Sequence, residues 1–226
     1  GDFLHQFPAD KDGVDRVYST IQGALNACVD SRGDVVLVLP REVDITDTDP
    51  GSWAETLSMA IVGVSLIGIA NNRTQGGLPQ VKMGSGSTAL LTVTAPGCTI
   101  KSIGFNGAGS TGGGILLDDD ASTKTAWGTT IENCHFKNCV GSTATSAATG
   151  GAIMWSANGG AWQVLIKGCR FYKNVGDIVV KGTGVSVPQD VVIEDCVFSG
   201  PAADVDCNIY TGGSGVNGLI IRNCIF

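Results

Sequence analysis

The apolar positions of this chain gather into one phrase that occurs four times: "TTIENCHFKNC" at 129–139, "VLIKGCRFYKN" at 164–174, "VVIEDCVFSG" at 191–200 and "LIIRNCIF" at 219–226. Each opens with the alternation of a half-buried strand, then slips by one residue before the cysteine. One phrase returning every few dozen residues is the signature of a solenoid. Aligned on its isoleucine, the anchors are Val64, Ile100, Ile131, Ile166, Ile193 and Ile221, spaced by 36, 31, 35, 27 and 28 residues. A fixed motif at variable spacing means constant strand pairs joined by loops of changing length.

The columns of this alignment predict which way side chains point. Three residues after the anchor stand Ile67, Ile103, Cys134, Cys169, Cys196 and Cys224; five after it stand Ile69, Phe105, Phe136, Phe171, Phe198 and Phe226. Both columns are apolar and face inward. Two residues after the anchor come Leu66, Ser102, Asn133, Gly168, Asp195 and Asn223. Leu66 apart, these types tolerate a turn or a left-handed backbone, so the slip in alternation is a corner between two strands. A third strand precedes each unit, in "ALLTV", "GILL", "AIMW", "DIVV" and "CNIY". Three short strands per coil, with coils about 4.8 Å apart, make an all-β parallel β-solenoid.

One outward column tests the stacking. Directly after the anchors stand Lys101, Glu132, Lys167, Glu194 and Arg222, alternating in sign. On adjacent coils each charge has opposite neighbours, which explains Glu132 and Glu194 without catalysis. Cys134, Cys169, Cys196 and Cys224 form an inward ladder of reduced, buried thiols, suited to folding in a reducing cytoplasm. Cys28, Cys98, Cys139 and Cys207 lie off that column and are unassigned.

Residues 18–28 read as a helix, with Ile21, Leu25 and Cys28 at helical spacing. Ser19 or Thr20 caps its start, and Gln22 completes a capping box with Ser19. The helix covers the first coil, as a terminal cap must. The expected organisation is an N-terminal arm and capping helix at 1–34 and a β-helix over 35–226. The β-helix stops mid-coil at Phe226, so either another chain covers that end or the sequence is part of a longer protein.

The chain has 226 residues, 33 of them glycine, with 15% charged residues and a net charge of −7. This suits a folded, turn-rich chain. No run of Lys or Arg supports nucleic-acid binding, and no apolar stretch reaches the length of a membrane span. The first residues show no signal peptide, and Gly1 stands where Met would begin a primary product.

"YSTIQGALNACVDSRGDVVLVLP" followed by the repeated I-x-[NDG]-C-x-F resembles the right-handed parallel β-helix, or pectate-lyase-like, superfamily over residues 14–226. That superfamily holds polysaccharide lyases and hydrolases, phage tailspikes and non-catalytic virion proteins. "GVSLIGIANNRTQGGLPQV", 63–81, resembles an early coil of β-helix proteins carried by tailed bacteriophages. This second resemblance implies a homotrimeric virion component that folds in the host cytoplasm and contacts other virion proteins and cell-surface polysaccharide.

Enzymes of this superfamily use acidic residues, and two carboxylates flanking a glycosidic bond serve as acid and base. The best acidic cluster is Asp118, Asp119 and Asp120, after "GILL"; the alternative for it is a solvated turn. No Arg or Lys stands beside it in the matching strand column, which departs from the lyase pattern. Trp127 and Trp162 each lie four residues before an anchor, on adjacent coils. They suit the apolar face of a sugar, and equally core sealing or a subunit contact. His135 points outward between Gly104 and Arg170, which supports no catalytic triad. His5 is a surface residue of the arm. "GSTGGG", 109–114, lacks the Gly-Lys-Ser/Thr ending of a phosphate loop. "GSTATSAATGG" and "SANGGA" read as exposed turns or close subunit packing. No metal or cofactor is expected. The reading is a non-catalytic virion structural protein, with a tailspike-type lyase or hydrolase, or a glycan-binding adhesin, as the alternatives.

Overall fold

A computed structural model describes residues 16–41, 51–69, 77–82, 89–107, 113–139, 150–156, 160–182, 187–200, 207–213 and 215–226, with Gly13, Gly86 and Asn158. The arm with His5, most of "GSTGGG" and most of "GSTATSAATGG" lie outside the described residues. The chain is the expected parallel β-helix. Its strands visit three sheets in turn, and every pairing within the sheets is parallel.

The first sheet has seven strands: Val35–Val38, Ser65–Gly68, Thr99–Lys101, Thr130–Glu132, Leu165–Lys167, Gln189–Glu194 and Asn217–Arg222. The second has six: Ser52–Trp53, Gln80–Lys82, Gly104–Asn106, His135–Lys137, Arg170–Tyr172 and Val197–Ser199. The third also has six: Leu57–Met59, Leu91–Val93, Ile115–Leu117, Ile153–Trp155, Gly176–Gly182 and Cys207–Gly213. All five third strands expected from the sequence are present; Leu57–Met59 adds one that the apolar pattern does not single out.

The anchors Ile100, Ile131, Ile166, Ile193 and Ile221 stand in register across the first sheet. On the second sheet the phenylalanines form a stack through the core. Ring centroids are 5.2 Å apart for Phe105–Phe136 and Phe136–Phe171, 4.8 Å for Phe171–Phe198 and 4.9 Å for Phe198–Phe226, with planes within 9°. The spacing is that of the β-ladder itself, so the rings follow the coils one for one. Cys134, Cys169 and Cys196 are buried beside them, Cys224 half so, and all are free thiols. Burial pushes the Cys169 thiol up, and dry thiols of this kind pack as small apolar groups.

The corner column behaves as its composition predicts. Ser102, Asn133, Gly168, Asp195 and Asn223 all take left-handed backbone, with φ between 53° and 62°. The expectation fails at the first coil. Leu66, not Val64, pairs with Ile100, and Ser65 with Thr99. The anchor is therefore Leu66, and the corner position belongs to Gly68. Among the described residues the next strand is Gln80–Lys82 of the second sheet, where Val81 pairs with Phe105 in the place expected for Ile69. Ile69 is accordingly 44% exposed. Val64 joins a different buried row with Cys98, Thr129, Val164 and Val191, which accounts for Cys98 as another core thiol.

A second left-handed column, absent from the sequence reading, lies three residues before each corrected anchor. Gly63, Gly97, Gly128, Gln163, Asp190 and Gly218 have φ between 54° and 73°. Each coil is thus bent at fixed places by residues that accept φ > 0.

The capping helix spans Ile21–Asn26 and buries Ile21 and Leu25 in the core. Its cap is Thr20, whose Oγ1 accepts from the Gly23 amide at 3.1 Å. The expected capping box with Ser19 does not form. Glu55, from a distant turn, accepts from the Ile21 and Gln22 amides at 2.9 Å each. Gln22 instead clamps the neighbouring strand, accepting from the Ser58 amide at 2.7 Å and donating to its carbonyl at 3.2 Å.

The charge ladder forms in two runs. Lys101 pairs with Glu132 at 3.1 Å, while Glu194 pairs with Lys167 at 2.9 Å and with Arg222 at 2.5 Å. Lys167 and then Arg222 hold the Glu194 carboxyl below its ordinary range. A depressed carboxyl stabilises the fold fully above its unfolded pKa of about 4.3, and that contribution drains away as pH falls through the lower folded value. Glu194→Gln should therefore melt earlier than wild type at neutral pH, with the gap closing below about pH 4. Paired melting curves across that range check it; a gap that persisted at low pH would show that charge is not what Glu194 contributes.

Candidate functional site

The three consecutive aspartates sit where the third sheet hands the chain back to the first. After Ile115–Leu117 the backbone folds into a tight loop. Asp120 builds it: its Oδ1 accepts from the amides of Ser122, Thr123 and Lys124, each at 2.9 Å. The Lys124 amide leads the hydrogen bonds that hold the Asp120 carboxyl below its usual range. Asp119 turns the chain through Ala121, whose amide donates to Oδ1 at 2.8 Å and whose φ is 57°. The next coil engages two further acceptors. Ser156 donates to Asp118 Oδ1 at 2.8 Å, and the Asn158 amide to Asp119 Oδ2 at 2.5 Å. Lys124 then ties the loop to Asp30 at 2.7 Å.

This arrangement bears directly on acid–base chemistry. A glycosidase needs one carboxyl kept protonated and another ionised across the sugar. Asp120 is stabilised as an anion and spends that charge on its own loop. Asp118 and Asp119 hold the following coil in place. The three side chains share a loop: Asp119 and Asp120 accept from amides of that turn, and Asp118 and Asp119 accept from the next coil.

Trp127 and Trp162 come from adjacent coils at the same corner. Gly128 donates to the Trp162 carbonyl at 2.7 Å, and Gly97 to the Trp127 carbonyl at 2.9 Å. Each Trp directly precedes a left-handed residue, Gly128 or Gln163, so its indole is carried to the outside of the bend. They are 45% and 41% exposed. The sequence reading places them as neighbours, and the backbone ladder does so. The other two tryptophans serve the fold: Trp155 is buried with Nε1 donating to the Ala161 carbonyl at 3.2 Å, and Trp53 donates to the Leu39 carbonyl at 3.0 Å.

His135 lies between Gly104 and Arg170, as expected. Burial, then Lys137 and Arg170, push its imidazole below the ordinary range. A polar cluster that the sequence does not reveal is buried between the second and third sheets. Asn174 donates to Asp177 Oδ1 at 2.8 Å, and Asn208 to Oδ2 at 2.6 Å. Burial raises the Asp177 carboxyl, and the two amides satisfy it. The sequence signal is an aspartate at the head of the apolar run "DIVV". Among the described residues no group of three His, Cys, Asp or Glu side chains is placed to hold a metal ion. The cleft beneath the capping helix, lined by Gln22, Leu25, Asn26 and Met59 among others, holds about 110 Å³, well short of an ordinary ligand pocket.

No family model matches the chain, and no curated protein does. Among solved structures it is similar to the pectin methylesterase of Aspergillus niger, with 14% identity over 96% of this chain and 75% of that one, at a TM-score of 0.41. It is also similar to a mutant pectin methylesterase in complex with a hexasaccharide, with 13% identity over 96% of this chain and 63% of that one, at a TM-score of 0.44. The likeness is one of backbone path and carries no catalytic residue across.

Proposed function

We propose that this chain is a non-catalytic structural β-helix of the kind tailed phages carry on their virions, assembled as a homotrimer. The observation that carries the non-catalytic half is the engagement of Asp118, Asp119 and Asp120 as hydrogen-bond acceptors for their own loop and the next coil. The phage half rests on the sequence resemblance at 63–81. Eight free thiols suit folding in a host cytoplasm. The test is a depolymerisation screen of folded protein against bacterial and plant polysaccharides, with mass spectrometry of the products and sedimentation for the assembly. No products and a trimeric mass are expected. Unsaturated or hydrolysed oligosaccharides, lost on replacing all three aspartates by asparagine, would overturn the proposal in favour of a polysaccharide-degrading enzyme.

A second reading, a glycan-binding adhesin, is favoured by the paired exposed indoles. Under it, Trp127→Ala and Trp162→Ala abolish glycan binding while assembly stays intact.

A further inference from the structure

The outward rows of the three sheets differ in kind. On the first sheet one row runs in register across all seven strands, from Val35 through Thr99, Thr130, Leu165 and Val192 to Ile220, and no residue in it is charged. Each member stands beside an inward residue of its strand, so the row faces out. Val35 is 53% exposed, Ile220 is 51% exposed, and the residues between them are half-buried. The outer positions of the second sheet instead carry Lys82, His135, Lys137 and Arg170. The third sheet has an apolar outer row of its own, Leu116, Met154, Val179 and Tyr210 in register, but there Met154 and Val179 are fully buried. Among the described residues, the first sheet alone leaves an uncharged row open along the whole solenoid.

Two flanks complete this face. Two residues after the row, on the same side of the strands, runs the charge ladder from Lys101 to Arg222. Three residues before Thr130 and Leu165, across the left-handed bend, stand the exposed indoles of Trp127 and Trp162. Six ladder steps make the row about 29 Å long, and five residues of strand put the indoles about 16 Å from the charges. The patch is thus on the order of 500 Å², the size of a functional patch rather than of scattered surface apolar residues. Its flanks are complementary. Lys101, Lys167 and Arg222 stay part-exposed after pairing with Glu132 and Glu194, and the face of an indole attracts such cations. Within one chain the row keeps the two flanks apart; between two copies they can meet.

We propose that this face joins copies of the chain, with the uncharged row of one packing on its neighbour and the indoles of Trp127 and Trp162 lying over the neighbour's Lys101–Arg222 ladder. In the homotrimer proposed above, on which this assignment rests, the contact is heterologous: one flank of each copy meets the other flank of the next, and a heterologous contact closes into a ring when its rotation allows. The row itself supplies the dry centre, free of charge, that such an interface has, and the aromatic and cationic flanks supply its anchors. Ser, Thr and Val keep the row low, so two sheets can approach to the ordinary face-to-face distance of about 10 Å. The indole pair then belongs to assembly, which sets this reading against the adhesin.

The test is sedimentation velocity of the full chain and its variants over a dilution series, with circular dichroism to check the fold. Wild type should sediment as a trimer. Leu165→Lys, which puts a cation into the row, and Trp162→Ala should each weaken association about tenfold or more while keeping the wild-type spectrum. Thr130→Lys, beside Leu165 on the row, repeats the lysine probe should Leu165→Lys disturb the fold. Tyr172→Lys, the same kind of change on the outward side of the second sheet, should leave the mass unaltered. A monomeric wild type would overturn this interface and the homotrimer together. A trimer left intact by the row variants, or dissolved equally by Tyr172→Lys, would overturn the interface and spare the homotrimer. A dimer dissolved by the row variants alone would support the interface and overturn the homotrimer. Assembly lost in the lysine variants but untouched in Trp162→Ala would overturn the part given to the indoles.

Discussion

Phe171→Asp should not fold. Its ring is buried and stacked between Phe136 at 5.2 Å and Phe198 at 4.8 Å, in a column that runs on to Phe105 and Phe226. A carboxylate there would lie among rings and thiols with no cation in reach, and burying an unpaired charge costs more than the whole margin of a typical domain. The neutral truncation Phe171→Ala should remain folded but lose about 3–5 kcal/mol through the cavity it leaves. Arg170→Asp is the control, because it puts the same charge one residue away on the outward face of the same strand. Its stability should stay within about 0.5 kcal/mol of wild type. Circular dichroism, gel filtration and urea unfolding separate the three. A cooperative, wild-type transition in Phe171→Asp would mean that the phenylalanine column does not face the core.

This column is legible in the sequence because every coil repeats it. Five anchors, five corner residues and five phenylalanines fall into register from spacing alone, since each faces the same environment as its neighbour above and below. The error at Val64 has a specific cause. A slip of one residue turns the apolar face outward, but a slip of two preserves it, so alternation cannot tell Val64 from Leu66. The corner column can do so. A leucine in a row of Ser, Asn, Gly and Asp is the warning, and moving the anchor to Leu66 brings Gly63 into line with Gly97, Gly128 and Gly218. The position of the indole pair is readable for the same reason as the core. The fate of the aspartates is not, because Ser156 and Asn158 reach them across 38 and 39 residues. Glu55 reaches the helix across a similar gap. In a solenoid, contacts between coils follow loop lengths, and a propensity reading of "DDDAST" carries no information about which loop lies above it.

Gly68→Ala should be the most damaging small substitution in the first coils, and it tests the corrected register directly. A Cβ at Gly68 would lie 1.9 Å from the Ser102 carbonyl oxygen, 2.9 Å from its carbon and 2.7 Å from Pro79 Cγ. The obstruction is backbone, and Ser102 has little freedom to yield: it occupies a left-handed corner at φ 56° and its amide donates to the Glu132 carbonyl at 3.0 Å. Overpacking of this kind costs about 3 kcal/mol or more. Gly63→Ala offers the contrast. Gly63 has φ 72° and a Cβ there would meet nothing within 4 Å, so its cost is conformational, about 1–2 kcal/mol. The two glycines are five residues apart and answer to different physics, the first to space and the second to handedness. Urea unfolding of both variants should rank Gly68→Ala as clearly the less stable. If Gly68→Ala were neutral, Gly68 could not lie against the Ser102 corner, and the pairing of Leu66 with Ile100 would have to be given up.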